Sequence, residues 1–166
     1  MDLYLVRHAI AEPRDPAGRA DDARRELTSD GILRLRAAAT GLGRLGVEVE
    51  LLLSSPYPRA RQTAEILSKE LGWPAPTLLD LLAPPASATA FLDALRGRQE
   101  GSLAVVGHQP DLSELASLLL AGDGGLVRIE LRKAGVVCLS APAGLAPGSA
   151  VLRWSASPRM LRRLAG

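Results

Sequence analysis

Three short apolar runs divide the chain into segments, and each run is bounded by polar residues or by glycine. They occupy residues 3–6, 51–53 and 103–106. Runs this short, without alternation of apolar and polar positions, are typical of strands buried on both faces of a sheet. We also predict a short strand at residues 77–79. Two edge strands are expected between residues 127 and 154, where β-rich runs are separated by Gly and Pro.

Helical periodicity fills the segments between these runs. Apolar residues recur at helical spacing after Thr28, which predicts a capped helix over residues 31–44 that ends at Gly46. Pro58 is expected in the first turn of a second helix that stops at Gly72. Further helices are predicted at residues 87–95, after Pro110, and at residues 158–164.

Strands that alternate with helices favour one architecture, an α/β fold with a doubly wound, mainly parallel sheet and helices on both faces. A length of 166 residues suits a single domain spanning residues 1–166. Such sheets bind ligands at the carboxyl ends of their strands. Residues 11–25, which mix Pro, Gly, Asp and Arg without periodicity, predict a long loop that leaves the end of the first strand.

Composition narrows the class of protein further. Hydrophobic residues make up 47% and aromatic residues 3%, so the core is expected to consist of Leu, Val, Ile and Ala. The net charge is +2, and Arg is interspersed with acidic residues without aromatic neighbours, which argues against nucleic-acid binding. No apolar run reaches the length of a membrane span, and the single cysteine, Cys138, is expected in the core. We therefore expect a cytoplasmic protein that does not bind membranes.

Both histidines of the chain, His8 and His108, follow directly on predicted buried strands. Because the carboxyl ends of parallel strands meet at one edge of a sheet, the fold is expected to bring the two imidazoles together. Arg7 precedes His8. Since neighbouring residues in a strand point to opposite faces, Arg7 and His8 share a site only where the strand ends.

Arginine supplies further positive charge at the same edge. Arg59 lies at the start of the helix that follows the second strand. A guanidinium group matches two phosphoryl oxygens at once, and the helix amino termini after Pro58 and Pro110 add N–H donors. The sequence therefore predicts an anion site with the charge expected for binding a phosphoryl group. Arg61 is expected on the surface. Four arginines of the long loop are also expected there and could line a substrate entrance: Arg14, Arg19, Arg24 and Arg25.

Two other interpretations are less favoured. The spacing of Gly41, Gly43 and Gly46 matches a dinucleotide-binding fingerprint, but these glycines fall at the end of a predicted helix rather than between a strand and a helix. The two histidines could in principle hold a metal, but no carboxylate stands next to either in the sequence. We expect neither a nucleotide cofactor nor a metal.

Three segments in order resemble the histidine phosphatase superfamily: residues 5–9 (LVRHA), 54–64 (SSPYPRARQTA) and 106–110 (VGHQP). The short chain, the RHA form of the first motif, Leu27-Thr28 and the closing residues 154–158 resemble its SixA-type phosphohistidine phosphatase branch. The superfamily commonly has Gly after the motif histidine, where this chain has Ala9, a small substitution that this branch also shows.

The resemblance implies a function and its residues. It implies that His8 is the nucleophile of a metal-independent phosphatase, and that Arg7, Arg59 and His108 bind the phosphoryl oxygens. The implied partner is a phosphorylated protein, such as a histidine phosphotransfer domain, or a small phosphorylated substrate. The general acid has two weak candidates, Asp80 after the third strand and Glu12 in the long loop.

Three functions remain as alternatives at this point. The favoured one is hydrolysis of phosphohistidine on a protein, because an imidazole leaving group needs little help from an enzymic acid. A phosphatase for a small metabolite or sugar phosphate is the alternative within the same class. A module that recognises phosphate groups without catalysis is the alternative of a different class.

Overall fold

The computed structural model describes residues 1–17, 21–95 and 97–166. A six-stranded sheet forms its centre, with strand order β3-β2-β4-β1-β5-β6. The strands are β1 (Asp2–Arg7), β2 (Leu51–Ser54), β3 (Thr77–Leu78), β4 (Ser102–Gly107), β5 (Val136–Ser140) and β6 (Val151–Ala156). Strands β1 to β4 run parallel to one another. Strand β5 pairs antiparallel with β1, and β6 pairs antiparallel with β5.

In the described residues, four helices connect these strands and a fifth follows β6. They are α1 (Ser29–Gly43), α2 (Pro58–Leu71), α3 (Ala88–Ala94), α4 (Asp111–Ala121) and α5 (Pro158–Leu164). Two short 3-10 turns, Asp22–Arg24 and Asp80–Leu82, interrupt the connecting loops. The predicted α/β class, a mostly parallel sheet with helices on both faces, is confirmed. One prediction was wrong: β5 is not an edge strand, because it pairs with β1 on one side and β6 on the other.

The alternation of side chains along the strands produces a separate core on each face of the sheet. On β1, Tyr4 and Val6 pack toward α1, α2 and α5, whereas Leu3 and Leu5 pack toward α3 and α4. The other central strands follow the same rule, so β1, β2, β4 and β5 are buried on both faces, whereas β3 and β6 at the edges are largely exposed. This explains why the sequences of the central strands are continuous apolar runs without alternating polar residues.

Local signals set the helix ends where the sequence predicts them. The Thr28 side chain accepts a hydrogen bond from the Gly31 N–H and caps α1. Gly72 adopts a left-handed conformation, with φ of 69°, and ends α2. Gly41 has a packing role instead: a Cβ there would lie 1.8 Å from the Leu161 carbonyl oxygen of α5. Gly41 therefore allows α1 to pack closely against α5, whereas Gly46 adopts a left-handed φ of 67° after the helix end.

The topology brings three strand ends side by side. Parallel pairing sets Arg7 of β1 beside Gly107 of β4, and Ser54 of β2 beside Val106 on the other side of β4. The residues that follow these strands therefore meet at one edge, which we call the carboxyl edge.

Within the described ranges, no helix is long and apolar enough to cross a membrane.

Candidate active site

Backbone hydrogen bonds continue past the ends of the strands and hold the first residues of each loop together. The His8 N–H donates to the Gly107 carbonyl at 3.0 Å, and the Ser55 N–H donates to the Val106 carbonyl at 3.0 Å. The Leu112 N–H then donates to the His108 carbonyl, which ties that histidine to α4. The strand ends thus fix His8, His108 and Ser55 in one row.

His8 is a buried imidazole with a defined tautomer. Its Nδ1 lies 2.7 Å from the Ala9 carbonyl oxygen, which can only accept, so Nδ1 carries the proton and Nε2 keeps its lone pair. Only 5% of the residue is exposed. Burial lowers the pKa of His8 to about 4, and the charges of Arg59, Arg7 and Lys133 act in the same direction. At neutral pH the imidazole is uncharged and its Nε2 carries a free lone pair.

His108 lies beside His8, with ring centroids 5.2 Å apart. Its Nε2 is 2.8 Å from the Ser55 hydroxyl, whereas its buried Nδ1 has no hydrogen-bond partner. Burial lowers its pKa to about 3, and the charge of Arg59 adds to the effect. The edge of the Tyr57 ring packs against the imidazole at 5.4 Å between centroids. His108 is therefore also neutral and held in one orientation.

Arg59 enters the site from the first turn of α2 and is 3% exposed. Its Nη1 donates to the Asp22 carbonyl at 2.7 Å, and its Nη2 lies 3.3 Å from the Asp22 carboxylate. The guanidinium also stacks over the Tyr57 ring, 5.1 Å from its centroid. Burial lowers the pKa of Arg59, but an arginine keeps its charge.

Asp22 binds two arginines of the long loop, Arg14 and Arg25, beside Arg59. Its Oδ1 accepts from Nε of Arg14 at 2.9 Å and from Nε of Arg25 at 2.8 Å. Partial burial acts to raise the pKa of Asp22, but the hydrogen bonds from Arg14 and Arg25 outweigh it and hold the pKa below its ordinary value. The Asp22 carboxylate is therefore ionised. It holds the arginine side chains in place and does not donate a proton.

Arg7 projects from the end of β1. Its Nη1 donates to the Leu131 carbonyl at 3.0 Å, which leaves the rest of the guanidinium available. Burial lowers the pKa of Arg7. The charges of Arg7 and Arg59 both act on His8 and lower its pKa.

Three buried donors or potential donors of this site have no hydrogen-bond partner among the described residues: Nε of Arg7, Nε of Arg59 and Nδ1 of His108. A buried donor without a partner costs about 1–3 kcal/mol. Together the three atoms form an arrangement that an anion would stabilise by supplying acceptor oxygens. The site is built to receive negative charge.

Thr63, on the second turn of α2, holds the loop after His8. Its hydroxyl accepts from the Ala9 N–H at 3.0 Å and donates to the Arg59 carbonyl at 2.7 Å. A single buried side chain thus ties the backbone at Ala9, which fixes the His8 tautomer, to the helix turn that carries Arg59.

A strained turn supports the other side of the same backbone. Ala134 has φ of 60°, a left-handed conformation that is uncommon for a residue with a Cβ. Its N–H donates to the Arg7 and His8 carbonyls at 3.0 and 3.2 Å. The preceding residue is Lys133, whose charge lowers the pKa of His8. The chain therefore holds an unusual conformation where it touches the backbone of the site.

The two candidate general acids lie on the surface. Asp80 and Glu12 are exposed, and within the described residues neither carboxylate forms a hydrogen bond or an ion pair with His8 or His108. Among the arginines, Arg61 pairs with Glu65 and Arg24 with Asp21 on the surface, whereas Arg14 and Arg25 reach Asp22 beside the site. Arg19 lies outside the described residues.

The structure brings together four residues that the sequence singles out: His8, Arg7, Arg59 and His108. Four further contributors escaped sequence reasoning, namely Asp22, Ser55, Thr63 and Lys133. Ser55 and Thr63 lie inside the second motif, so their position along the chain is a usable signal. Asp22 and Lys133 have no such signal, because only the tertiary fold brings them to the site. In the described part of the chain, no group of three or more His, Cys, Asp or Glu side chains is arranged to bind a metal.

Comparisons with known proteins bear on the family and the fold of this chain. The model of the histidine phosphatase superfamily (branch 1) matches residues 3–82. An uncharacterized protein of Picosynechococcus sp. is 44% identical over 84% of this chain and 84% of its own length. The phosphohistidine phosphatase SixA of Escherichia coli is 32% identical over 74% of this chain and 76% of its own length. A solved structure of the protein histidine phosphatase SixA in complex with tungstate has a TM-score of 0.81 and 27% identity, and covers 96% of this chain and 98% of its own.

Proposed function

Because this chain belongs to branch 1 of the histidine phosphatase superfamily, we propose that it hydrolyses phosphohistidine on a protein substrate, with His8 as the nucleophile. The observation that carries the proposal is the state of His8. Its proton lies on Nδ1 at 2.7 Å from the Ala9 carbonyl, its pKa is lowered to about 4, and its Nε2 is unprotonated in a cationic pocket. A neutral nitrogen nucleophile surrounded by positive charge suits attack on a phosphoryl group.

In the first step, the Nε2 lone pair of His8 forms a bond to phosphorus while the P–N bond of the substrate breaks. The other ring nitrogen of the substrate imidazole takes a proton from solvent, so that a neutral imidazole leaves. The His8 ring becomes positively charged as the bond forms. The Ala9 carbonyl, which accepts from Nδ1, stabilises that charge without giving or taking a proton.

Arg7, Arg59 and His108 bind the phosphoryl oxygens throughout the transfer. Their unpaired donor atoms supply the hydrogen bonds, and the two guanidinium groups supply positive charge in a site with little water. Fixed donors of this kind are the main electrostatic contribution to phosphoryl transfer. Asp22 and Tyr57 keep Arg59 in place and are positioning residues.

In the second step, a water molecule attacks the phosphorus of phosphorylated His8. The P–Nε2 bond breaks, inorganic phosphate leaves, and the proton of the water passes to solvent. The positively charged ring is a good leaving group because its electron pair returns to Nε2 with Nδ1 still protonated. The chemistry needs no metal and no organic cofactor, since the protein supplies both the nucleophile and the positive charge.

The choice of phosphohistidine over a phosphate ester rests on the leaving group. An alkoxide leaving group needs a strong general acid, whereas an imidazole protonates readily from water. In the described residues the carboxylate beside the site, Asp22, is ionised by its arginines, and the candidates Asp80 and Glu12 are exposed. The 32% identity to a phosphohistidine phosphatase supports the same substrate class.

A trapping experiment tests the nucleophile. Brief incubation with labelled phosphohistidine peptide is expected to leave acid-labile label on His8, and the label should be absent in His8→Ala. The matched control is Arg163→Gln, an exposed residue of α5, which should retain label and turnover. Acid-labile label that persists in His8→Ala would contradict the proposal.

A substrate panel tests the specificity. Phosphohistidine peptides, sugar phosphates and other phosphorylated metabolites would be compared by kcat/KM, and the peptides are expected to be preferred by at least about tenfold. A higher kcat/KM for a small metabolite would identify the alternative phosphatase function. Tight binding of phosphopeptides with neither label nor turnover would instead indicate a recognition module.

A further inference from the structure

A small cavity opens beside the backbone that follows His8, on the face of the sheet that carries α1 and α5. Its volume is about 120 Å³, and it reaches from Ala9 and Ile10 to the first turn of α1 and the start of α5. Since a water molecule occupies about 30 Å³, the cavity has room for roughly four waters, which is the size of a phosphate or a carboxylate group.

Three cationic side chains line this cavity: Arg34, Lys133 and Arg162. They come from three separate parts of the chain, namely α1, the turn before β5, and α5. Arg34 forms an ion pair with Asp30 at 2.7 Å. In the part of the chain that the structure describes, no carboxylate lies within 4 Å of the charged groups of Lys133 or Arg162, so two of the three charges have no partner.

Lys133 links the cavity to the phosphoryl site. Its charge acts on His8, and the charges of Arg7, Arg25 and Arg59 act on it in turn. Burial is the first cause of its lowered pKa, and those neighbouring cations add to it. The side chain is nevertheless exposed enough to meet a ligand. An anion in the cavity would relieve this accumulation of like charge.

The position of Lys133 is held at a conformational cost. The turn that carries it is fixed by Ala134, whose left-handed backbone donates to the Arg7 and His8 carbonyls. A left-handed conformation is unfavourable for a residue with a Cβ, and such strain collects at functional sites. The strained contact sets the distance between an unpaired lysine and the nucleophile's own backbone.

We propose that this basic cavity, lined by Arg34, Lys133 and Arg162, binds a second anionic group of the substrate while His8 attacks the phosphoryl group. The proposal rests on the proposed function and extends it to the choice of substrate. The second anion is either an acidic side chain near the phosphohistidine of a protein or a second phosphate of a small molecule. Both present anionic oxygens to the same three cations.

The test compares substrates that differ only in the second anion. One pair is a phosphohistidine peptide flanked by Asp and the same peptide with Asn in place of Asp. The enzyme is expected to prefer the acidic peptide by about fivefold in kcat/KM, as for one partly exposed ion pair. Arg162→Gln should remove this preference, and the matched variant Arg163→Gln, one residue along α5, should keep it.

A binding measurement separates this proposal from the proposed function because it needs no turnover. Calorimetric titration with inorganic phosphate is compared with titration by alkane-diol bisphosphates of increasing length. A bisphosphate of suitable length is expected to bind at least about fivefold more tightly than phosphate in the parent chain but not in Arg162→Gln. Absence of turnover on phosphohistidine, together with this binding difference, would overturn the proposed function and support the second subsite.

The two arms also identify the source of the anion. A preference for the acidic peptide that depends on Arg162 assigns the cavity to a protein side chain. A preference for the bisphosphate alone assigns it to a second phosphate of a small substrate. If neither preference exists, or if Arg163→Gln removes it as fully as Arg162→Gln, the proposal is wrong.

Discussion

Polar groups at the two ends of the central strands differ in their burial and in their hydrogen bonding. Six of the seven buried polar residues in the described part of the chain lie at the carboxyl edge. Three buried donors or potential donors at the same edge lack hydrogen-bond partners there. At the amino edge the polar groups are exposed and paired: the Gly101 N–H donates to the Glu50 carboxylate at 2.9 Å, and the Glu50 N–H donates to Ser102 Oγ at 3.1 Å.

The size of a cavity does not indicate which end of the strands carries the chemistry. The amino edge has a cavity of about 370 Å³ between residues 47–50, residues 71–73 and Ser102, and the side chains of Glu48 and Glu50 give it negative charge. The basic cavity beside His8 is only a third as large. Chemistry is indicated by buried groups whose hydrogen bonds or charges remain unbalanced, because the fold bears a free-energy cost to keep them so.

The largest expected difference between the two edges is in turnover. Arg59→Ala should lower kcat/KM by about 10²–10³-fold, because the developing charge on the phosphoryl oxygens loses a fixed donor and a positive charge. Glu48→Gln, a charge change at the amino edge, should leave kcat/KM unchanged. Steady-state kinetics with a phosphohistidine peptide measure both, and thermal melts show whether Arg59→Ala remains folded. Equal losses for the two variants would remove the functional distinction between the edges.

The next difference concerns stability against pH. His8 has a folded pKa of about 4 against an ordinary value of 6.5, so the unfolded chain binds the extra proton between these values. The free energy of unfolding should therefore fall as the pH drops from about 6.5 to about 4, by on the order of 3 kcal/mol from His8. His108 contributes in the same direction, down to about pH 3.

Urea titrations at several pH values in phosphate-free buffer measure this loss. His8→Asn should lose less stability than the parent chain over the same range, whereas Glu48→Gln at the amino edge should match the parent. Identical pH profiles for the parent chain and His8→Asn would contradict the depressed pKa of His8.

A smaller effect is expected from the orientation of His108. Ser55→Ala removes the partner of His108 Nε2, so kcat should fall by about tenfold with little change in KM. Ser54→Ala is the matched variant, because the Ser54 hydroxyl bonds to the Ser55 carbonyl and not to the histidine. A shift of the His108 ring resonances in NMR spectra of Ser55→Ala, absent in Ser54→Ala, would separate positioning from general destabilisation. A similar loss of kcat in both variants would argue against it.

The smallest effect is expected at the amino edge itself. Glu50→Gln weakens an exposed hydrogen bond from the Gly101 N–H, which should lower the free energy of unfolding by about 0.5–1 kcal/mol. Turnover should not change. Chemical denaturation and steady-state kinetics on the same preparation measure both quantities, and a large loss of kcat here would mean that the two edges are coupled.

The sequence predicted the elements and the row of strand ends because these depend on local patterns. Continuous apolar runs marked β1, β2 and β4, and Thr28, Gly72 and Pro158 set helix ends that the structure reproduces. The motif residues follow those strands directly, so the topology alone brings His8 beside His108. The pairing of β5 was predicted wrongly, since a short β-rich run does not specify how many neighbours it has.

Only the tertiary structure decided how the site is charged and held. Arg59 meets Asp22 from 37 positions away, and Arg7 meets the Leu131 carbonyl from 124 positions away, so no local pattern predicts either contact. The His8 tautomer depends on a 2.7 Å contact whose acceptor, the Ala9 carbonyl, is in turn fixed through Thr63 and Ala134. Residue types and strand periodicity determined which groups stand at the carboxyl edge. Protonation and pairing were decided by burial and long-range contacts, because both depend on distances that only the packed chain defines.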